Sequence, residues 1–138
     1  MLEIQKSLLE EIYQHAIDTY PDECCGIMAG VIQAENRIVK KVFQAENLNK
    51  ERSHDRYEMN EKDFLRADRQ AAKLGMDIVG IYHSHPDHPS KASETDRQKA
   101  HEGYSYLIVA IHDRKFYSKN SWVLDQNKKF QEEEIIEL

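Results

Sequence analysis

The sequence predicts an α/β fold in which a mixed, curved β-sheet is flanked by helices, with residues 1–138 forming one domain. Three observations carry that expectation. Apolar residues recur at helical spacing in two separate stretches. Short runs of strand length, apolar or alternating, lie between and after them. The two kinds of segment follow one another in the order α, β, β, α, β, α, β, β, β, which suits helices packed on the faces of a sheet.

Leu2–Ile4 fits a short strand. Ser7 is the expected N-cap of the first helix, which carries Leu8, Leu9, Ile12, Tyr13, Ala16, Ile17 and Tyr20 and ends at Pro21. Cys25 to Ile32 is small and apolar, as a buried strand is, and Arg37 to Phe43 mixes charge with Ile38, Val39, Val42 and Phe43 as a half-exposed strand does. Asn47 to Asp55 is polar and reads as a loop. Asn60 caps a second helix bearing Phe64, Leu65, Ala71, Ala72 and Leu74, with Gly75 as its C′ residue. Ile78 to His85 is a strand running into Pro86, and Ser93 opens a short third helix that stops near Gly103. Tyr104 to Ile111 is the most apolar strand and is expected at the centre of the sheet; Ser121–Leu124 and Phe130–Ile136 complete it near an edge.

Composition narrows the function classes. Hydrophobic residues make up 40% and charged residues 32% of the chain, and mean hydropathy is -0.77, as in ordinary globular domains. The longest aliphatic stretch, within Tyr106 to Ile111, is far short of the roughly 20 apolar residues a membrane helix needs. The N-terminal Met1-Leu2-Glu3-Ile4 has neither a basic region nor an apolar one, so no signal peptide is expected. The net charge of -6 argues against phosphate-backbone binding by the bulk surface. The two cysteines, Cys24 and Cys25, are adjacent and ill placed to bridge, which favours a reduced, cytoplasmic setting.

The chemistry concentrates in Ile81-Tyr82-His83-Ser84-His85-Pro86 and, six residues on, Ser93-Glu94-Thr95-Asp96. Side chains alternate along a strand, so His83 and His85 point to the same side and can share one metal ion. Pro86 and Pro89 stiffen the return, and the next helix holds Ser93 and Asp96 in its first turn. Two histidines and a carboxylate leave a fourth tetrahedral position open, the arrangement of catalytic rather than structural zinc. Taken alone, Ser-x-x-Asp is a helix-capping pattern. The two roles are compatible, because capping geometry aims both side chains at the same region.

His83-Ser84-His85-Pro86, the six-residue spacing and Ser93-x-x-Asp96 resemble the signature of the JAMM (MPN-domain) zinc metalloproteases. Pro21-Asp22-Glu23-Cys24-Cys25-Gly26 occupies the place of that family's upstream glutamate. The resemblance implies the MPN fold, related to the cytidine deaminases, and one zinc ion held by His83, His85 and Asp96. It further implies Glu23 as general base and Ser93 as donor to the developing oxyanion. Cys24 and Cys25 are expected to be buried strand residues rather than nucleophiles. His88 is a possible neighbour of the metal loop, His101 fits a helix C-terminus, and Trp122 fits the core or the sheet surface.

Family members cut amide bonds that follow the C-terminus of ubiquitin or ubiquitin-like proteins. The deubiquitinating members carry insertions that grip a second ubiquitin, and here only Asn47 to Asn60 and Asp113 to Asn120 could serve. The compact chain is most similar to bacterial stand-alone members that process ubiquitin-like sulfur carrier proteins after a Gly-Gly end. The expected partner is such a carrier, with neither nucleic acid nor membrane. One alternative is an isopeptidase removing such modifiers from lysine. Another is a non-enzymatic MPN-type binding module, like that of a DNA-repair-associated family with a similar H-x-H-P motif. A nucleoside deaminase would need H-x-E and P-C-x-x-C, and neither occurs.

Overall fold

The computed structural model describes residues 1–138. The elements are β1 (Leu2–Ile4), α1 (Lys6–Thr19), β2 (Cys25–Gln33), β3 (Asn36–Ala45), α2 (Glu61–Lys73), β4 (Asp77–Pro86), α3 (Glu94–Lys99), β5 (Ser105–His112), β6 (Lys115–Leu124), β7 (Phe130–Glu133) and β8 (Ile135–Glu137). All eight strands join one mixed sheet in the order β7-β6-β5-β4-β2-β3-β1-β8. The expected strand–helix alternation is borne out, and the sheet is more nearly closed than the sequence suggested.

That closure comes from the C-terminus. Phe130–Ile136 is two strands rather than one. β7 pairs antiparallel with β6, whereas β8 crosses to the opposite edge and pairs parallel with β1. Glu134 is the residue between them, and its carbonyl accepts a hydrogen bond from Leu2 N. The two ends of the sheet are therefore adjacent in the chain, and the sheet curls into a near-barrel. β7 and β8 remain the two edge strands, and both are short, one of the ways sheets keep their edges from pairing with other chains.

Three boundaries move for tertiary reasons. α1 starts at Lys6 behind an extended Gln5, which makes no side-chain cap bond, so Ser7 lies inside the first turn. β1 is held between β3 and β8, and the chain must turn as soon as it leaves Ile4. α3 ends at Lys99, before Gly103, because Ala100 is extended and His101 N donates to the Tyr106 hydroxyl. β6 begins at Lys115, six residues earlier than expected, directly after a turn in which Asp113 and Arg114 both have positive φ, as tight hairpins require. α2 keeps its predicted signals. Asn60 accepts from Lys62 N, and Gly75, at φ +72, lets Gly75 N and Met76 N close on Ala72 and Ala71.

Helices cover both faces of the sheet. Leu9, Ile12 and Ala16 of α1 pack with Met28, Val79, Tyr82, Leu107 and Val109 in the larger core. Ala67 and Ala71 of α2 pack with Ile27, Ile78, Ile81 and Tyr106 in the smaller. Along the buried β4, Tyr82 and Ser84 face α1, while Ile81, His83 and His85 share the α2 face. Gly26 is required opposite, since a Cβ there would lie 2.1 Å from the Tyr82 ring. No helix is long and apolar enough to cross a membrane.

Candidate metal centre

The site forms where β4 leaves the smaller core. β2 runs antiparallel to β4 with Cys25 opposite His83, so the residues just before β2 lie beside the two histidines. Ser84, between them but on the other face, holds this junction: Cys24 N donates to Ser84 Oγ at 2.8 Å, and Ser84 N donates to Cys24 O. Glu23 N donates to Ser53 O, and Asn47 Nδ2 donates to Glu23 O at 3.1 Å. A carboxylate only 2% exposed is thereby pinned next to His83.

Asp96 arrives from the other side. Ser93 and Asp96 form a reciprocal capping box, Asp96 N donating to Ser93 Oγ at 3.0 Å and Ser93 N to Asp96 Oδ2 at 2.9 Å. Ser93 itself is exposed, and its own proton stays free to donate outward. The Asp96 carboxylate lies 3.6 Å from His83 Nε2 and 3.1 Å from His85 Nε2. Glu23 Oε1 lies 3.5 Å from His83 Nδ1.

Glu23, His83 and His85 bring one potential ligand atom each within 4.8 Å of one another. The cluster is short of partners: Glu23 Oε1 and both His83 ring nitrogens are buried with no hydrogen-bond partner. Such groups are rare and costly. His85 is held from both sides: its Nδ1 donates to the Pro89 carbonyl at 2.7 Å, and its Nε2 lies 3.1 Å from Asp96 Oδ2. A cation between these groups would satisfy all of them, and a set of nitrogen and carboxylate donors suits a borderline metal such as zinc.

The electrostatics agree. Burial opposes protonation of His83, but Asp96 and Glu23 outweigh it and raise its pKa. Burial alone would raise the Asp96 carboxyl; the two histidines and the Ser93 N–H hold it well below the usual carboxylate range.

Glu23, His83 and His85 form one group, Asp96 lies against the two histidines, and Ser93 is beside Asp96 at the cap. Sequence reasoning missed the residues that hold them. Tyr57 stacks on His83, ring centroids 4.6 Å apart, and Lys99 of α3 donates to the Tyr57 carbonyl. Ser84 carried a usable signal, being a hydroxyl inside a buried strand that must find a partner. Asn47, in the polar loop, and Tyr57, just after it, carried none.

The remaining candidates resolve simply. Cys24 and Cys25 are free and buried, and burial pushes the Cys24 thiol up to about 12, so neither is a nucleophile. His88 stacks on His85 at 4.1 Å. His101 lies beyond the end of α3 rather than capping it. Trp122 is half-buried and donates to Ser90 O. Beside Tyr57, a groove of 620 Å³ runs along the α2 face between Phe64, Ile81, Lys99, Tyr104 and Tyr106.

The fold is that of a JAB-type domain, as comparison with known proteins shows. Residues 5–125 match the family of prokaryotic homologs of the JAB domain, and the chain belongs to it. A desampylase from Haloferax volcanii is 31% identical over 121 residues, covering 87% of this chain and 84% of the relative. A CysO-cysteine peptidase from Mycobacterium tuberculosis is 30% identical over 114 residues, covering 82% and 75%. Among solved structures, a protein from Desulfitobacterium hafniense superposes with a TM-score of 0.88 at 29% identity, over 100% of this chain and 93% of that one. A JAB1/MPN domain protein from Archaeoglobus fulgidus gives 0.65 at 19% identity, over 100% and 97%.

Proposed function

We propose that the protein is a zinc-dependent peptidase. It hydrolyses the amide bond after the C-terminal Gly-Gly of a ubiquitin-like sulfur carrier protein, releasing a C-terminal residue or short extension in the cytoplasm. The observation that carries this is the unpartnered set of Glu23 Oε1 and the His83 nitrogens, beside His85 Nε2 facing Asp96 Oδ2. The relatives support the class, a hydrolase of peptide or isopeptide bonds.

His83, His85 and Asp96 hold the metal. Zinc, when bound, supplies Lewis acidity that makes water a nucleophile near neutral pH and polarises the scissile carbonyl. Glu23 takes the proton from the attacking water and returns it to the leaving amine. Its burial and its hydrogen-bonded backbone keep it in place between the two transfers. Ser93 donates its free O–H to the oxyanion as negative charge develops there. Tyr57 and Ser84 hold His83 and Glu23 in register, and the groove beside Tyr57 offers room for the residues ahead of the two glycines. Side-chain-free glycines suit a backbone that must pass close to the metal, so replacing the carrier's last Gly by Val should block cleavage.

The preference for a small leaving group follows from the loops. Asn47 to Asn60 is folded back onto Glu23 and α3 through Asn47, Ser53 and Arg56. Asp113 to Asn120 is mostly strand β6. Neither is a long insertion of the kind that would grip a second protein. The test compares kcat/KM for a carrier–cysteine fusion and a lysine-linked ubiquitin dimer. Faster cleavage of the fusion is expected; equal or faster cleavage of the dimer would replace this assignment with an isopeptidase.

A further inference from the structure

The loop before α2 carries a cation that the reaction above does not use. Arg56 is half-buried, and its guanidinium donates to the Thr95 hydroxyl on α3. Arg52, Arg66 and Arg97 each pair with a carboxylate, whereas Arg56 does not; Arg37 and Arg114, also without one, donate to backbone carbonyls instead. Its place is fixed from several sides. Asn47 Nδ2 donates at 3.1 Å to both the Arg56 and the Glu23 carbonyls, tying the two backbones into one frame. The next residue, Tyr57, stacks on His83, and the residue after Thr95 is Asp96. Arg56 therefore stands at the rim of the Glu23–His83–Asp96 cluster.

Its chemistry there is incomplete. One neutral hydroxyl takes one of five donors, which leaves a permanently charged, partly desolvated fork with most of its capacity unused. The carboxylates of the cluster, Glu23 and Asp96, are buried, and the other cation nearby, Lys99, is engaged with the Tyr57 carbonyl and ring. A substrate anion reaching this rim needs a fixed cation, and a carboxylate fits the guanidinium fork in bidentate fashion.

We infer that Arg56 receives the free α-carboxylate of the residue released by the cut, so that the protein acts as a carboxypeptidase on a single residue attached to the carrier. The inference rests on the peptidase assignment above and specifies its leaving group. A lysine within another protein offers no such carboxylate at this place, because its own carboxyl group is in a peptide bond.

The test uses one carrier in three forms: ending in cysteine as the free acid, ending in cysteine amide, and joined to the ε-amine of lysine in a peptide. For the wild type, kcat/KM should favour the free acid over the amide by about 10- to 100-fold, the range of a charge-assisted contact. In Arg56→Gln the ratio should fall to near one. A ratio taken within one variant is insensitive to a general loss of folded protein. Binding of the uncut acid and amide to metal-free protein gives a second readout and should show the same preference, lost in Arg56→Gln. The lysine conjugate should respond to Arg56→Gln no more than the amide does. An acid/amide ratio near one in the wild type, or unchanged in the variant, would reduce the Arg56–Thr95 contact to a strap between loop and helix while leaving the peptidase assignment intact. If the wild type cuts none of the three, the peptidase assignment fails and this inference with it.

Discussion

The two faces of β4 are built from the same strand, yet they treat polar atoms in opposite ways. Towards α1, every polar side chain is satisfied: the Tyr82 hydroxyl meets His15 Nδ1 at 2.6 Å, and Ser84 Oγ accepts from Cys24 N. Towards α2, one residue away in each direction, both His83 nitrogens lack a partner and so does Glu23 Oε1. One face has completed its hydrogen bonds and packs as core. The other keeps buried ligand atoms unpaired, a cost that is tolerated where a cation is to be held. Substitutions towards α2 should therefore damage turnover, and those towards α1 should damage stability.

The largest effect is expected at Glu23. Glu23→Gln should keep its zinc and lower kcat by roughly 10²–10⁴-fold, the usual worth of a positioned acid–base group. Melting of the zinc-loaded variant should stay close to that of the wild type, which separates lost catalysis from lost fold. Near wild-type kcat in a zinc-loaded sample would show that Glu23 is not the base. Ser93→Ala should cost on the order of 10²–10³ in kcat and about 1 kcal/mol through the lost cap. Lost stability at unchanged kcat would return Ser93 to capping alone.

Ser84→Ala sharpens the contrast, because Ser84 faces α1 but holds the backbone next to Glu23. The buried Cys24 N–H would lose its side-chain acceptor, at a cost of about 1–3 kcal/mol. Alone among substitutions on that face, it should also lower kcat; paired denaturation and rate measurements read both. Tyr82→Phe, two residues earlier, should lose about 0.5–1.5 kcal/mol with kcat unchanged.

His15 gives the smallest signal, and its sign is defined. Burial lowers its folded-state pKa below the ordinary 6.5. As pH falls through 6.5 the unfolded chain therefore takes up the proton first, and this contribution to stability, complete above that value, declines. His15→Gln should flatten the slope of melting temperature against pH in this window.

The same contrast explains what the sequence disclosed. His83, His85, Ser93 and Asp96 were legible because strand alternation and a capping pattern are local, and the short Pro-stiffened turn brings them together. Glu23 was legible through its motif before β2. Tyr57, Asn47 and the Cys24–Ser84 contact depend on pairings far apart in the chain, which only the folded sheet creates. The C-terminal crossover escaped for the same reason. Glu134 looks like one polar residue in a strand, and nothing local says that the chain there exchanges β6 for β1. Ser7 is a better cap than Gln5 by residue type, but the confinement of β1 decides where α1 begins.

The central claim is that the unpaired face of β4 exists to hold a catalytic metal. It is tested most directly by measuring zinc content and peptidase turnover in the same samples: as purified, after chelation, after zinc return, and in His85→Ala. The account predicts one zinc per chain, turnover lost and regained with it, and both absent in His85→Ala. Full turnover in a sample verified to be metal-free, or stoichiometric tight zinc in His85→Ala, would contradict it.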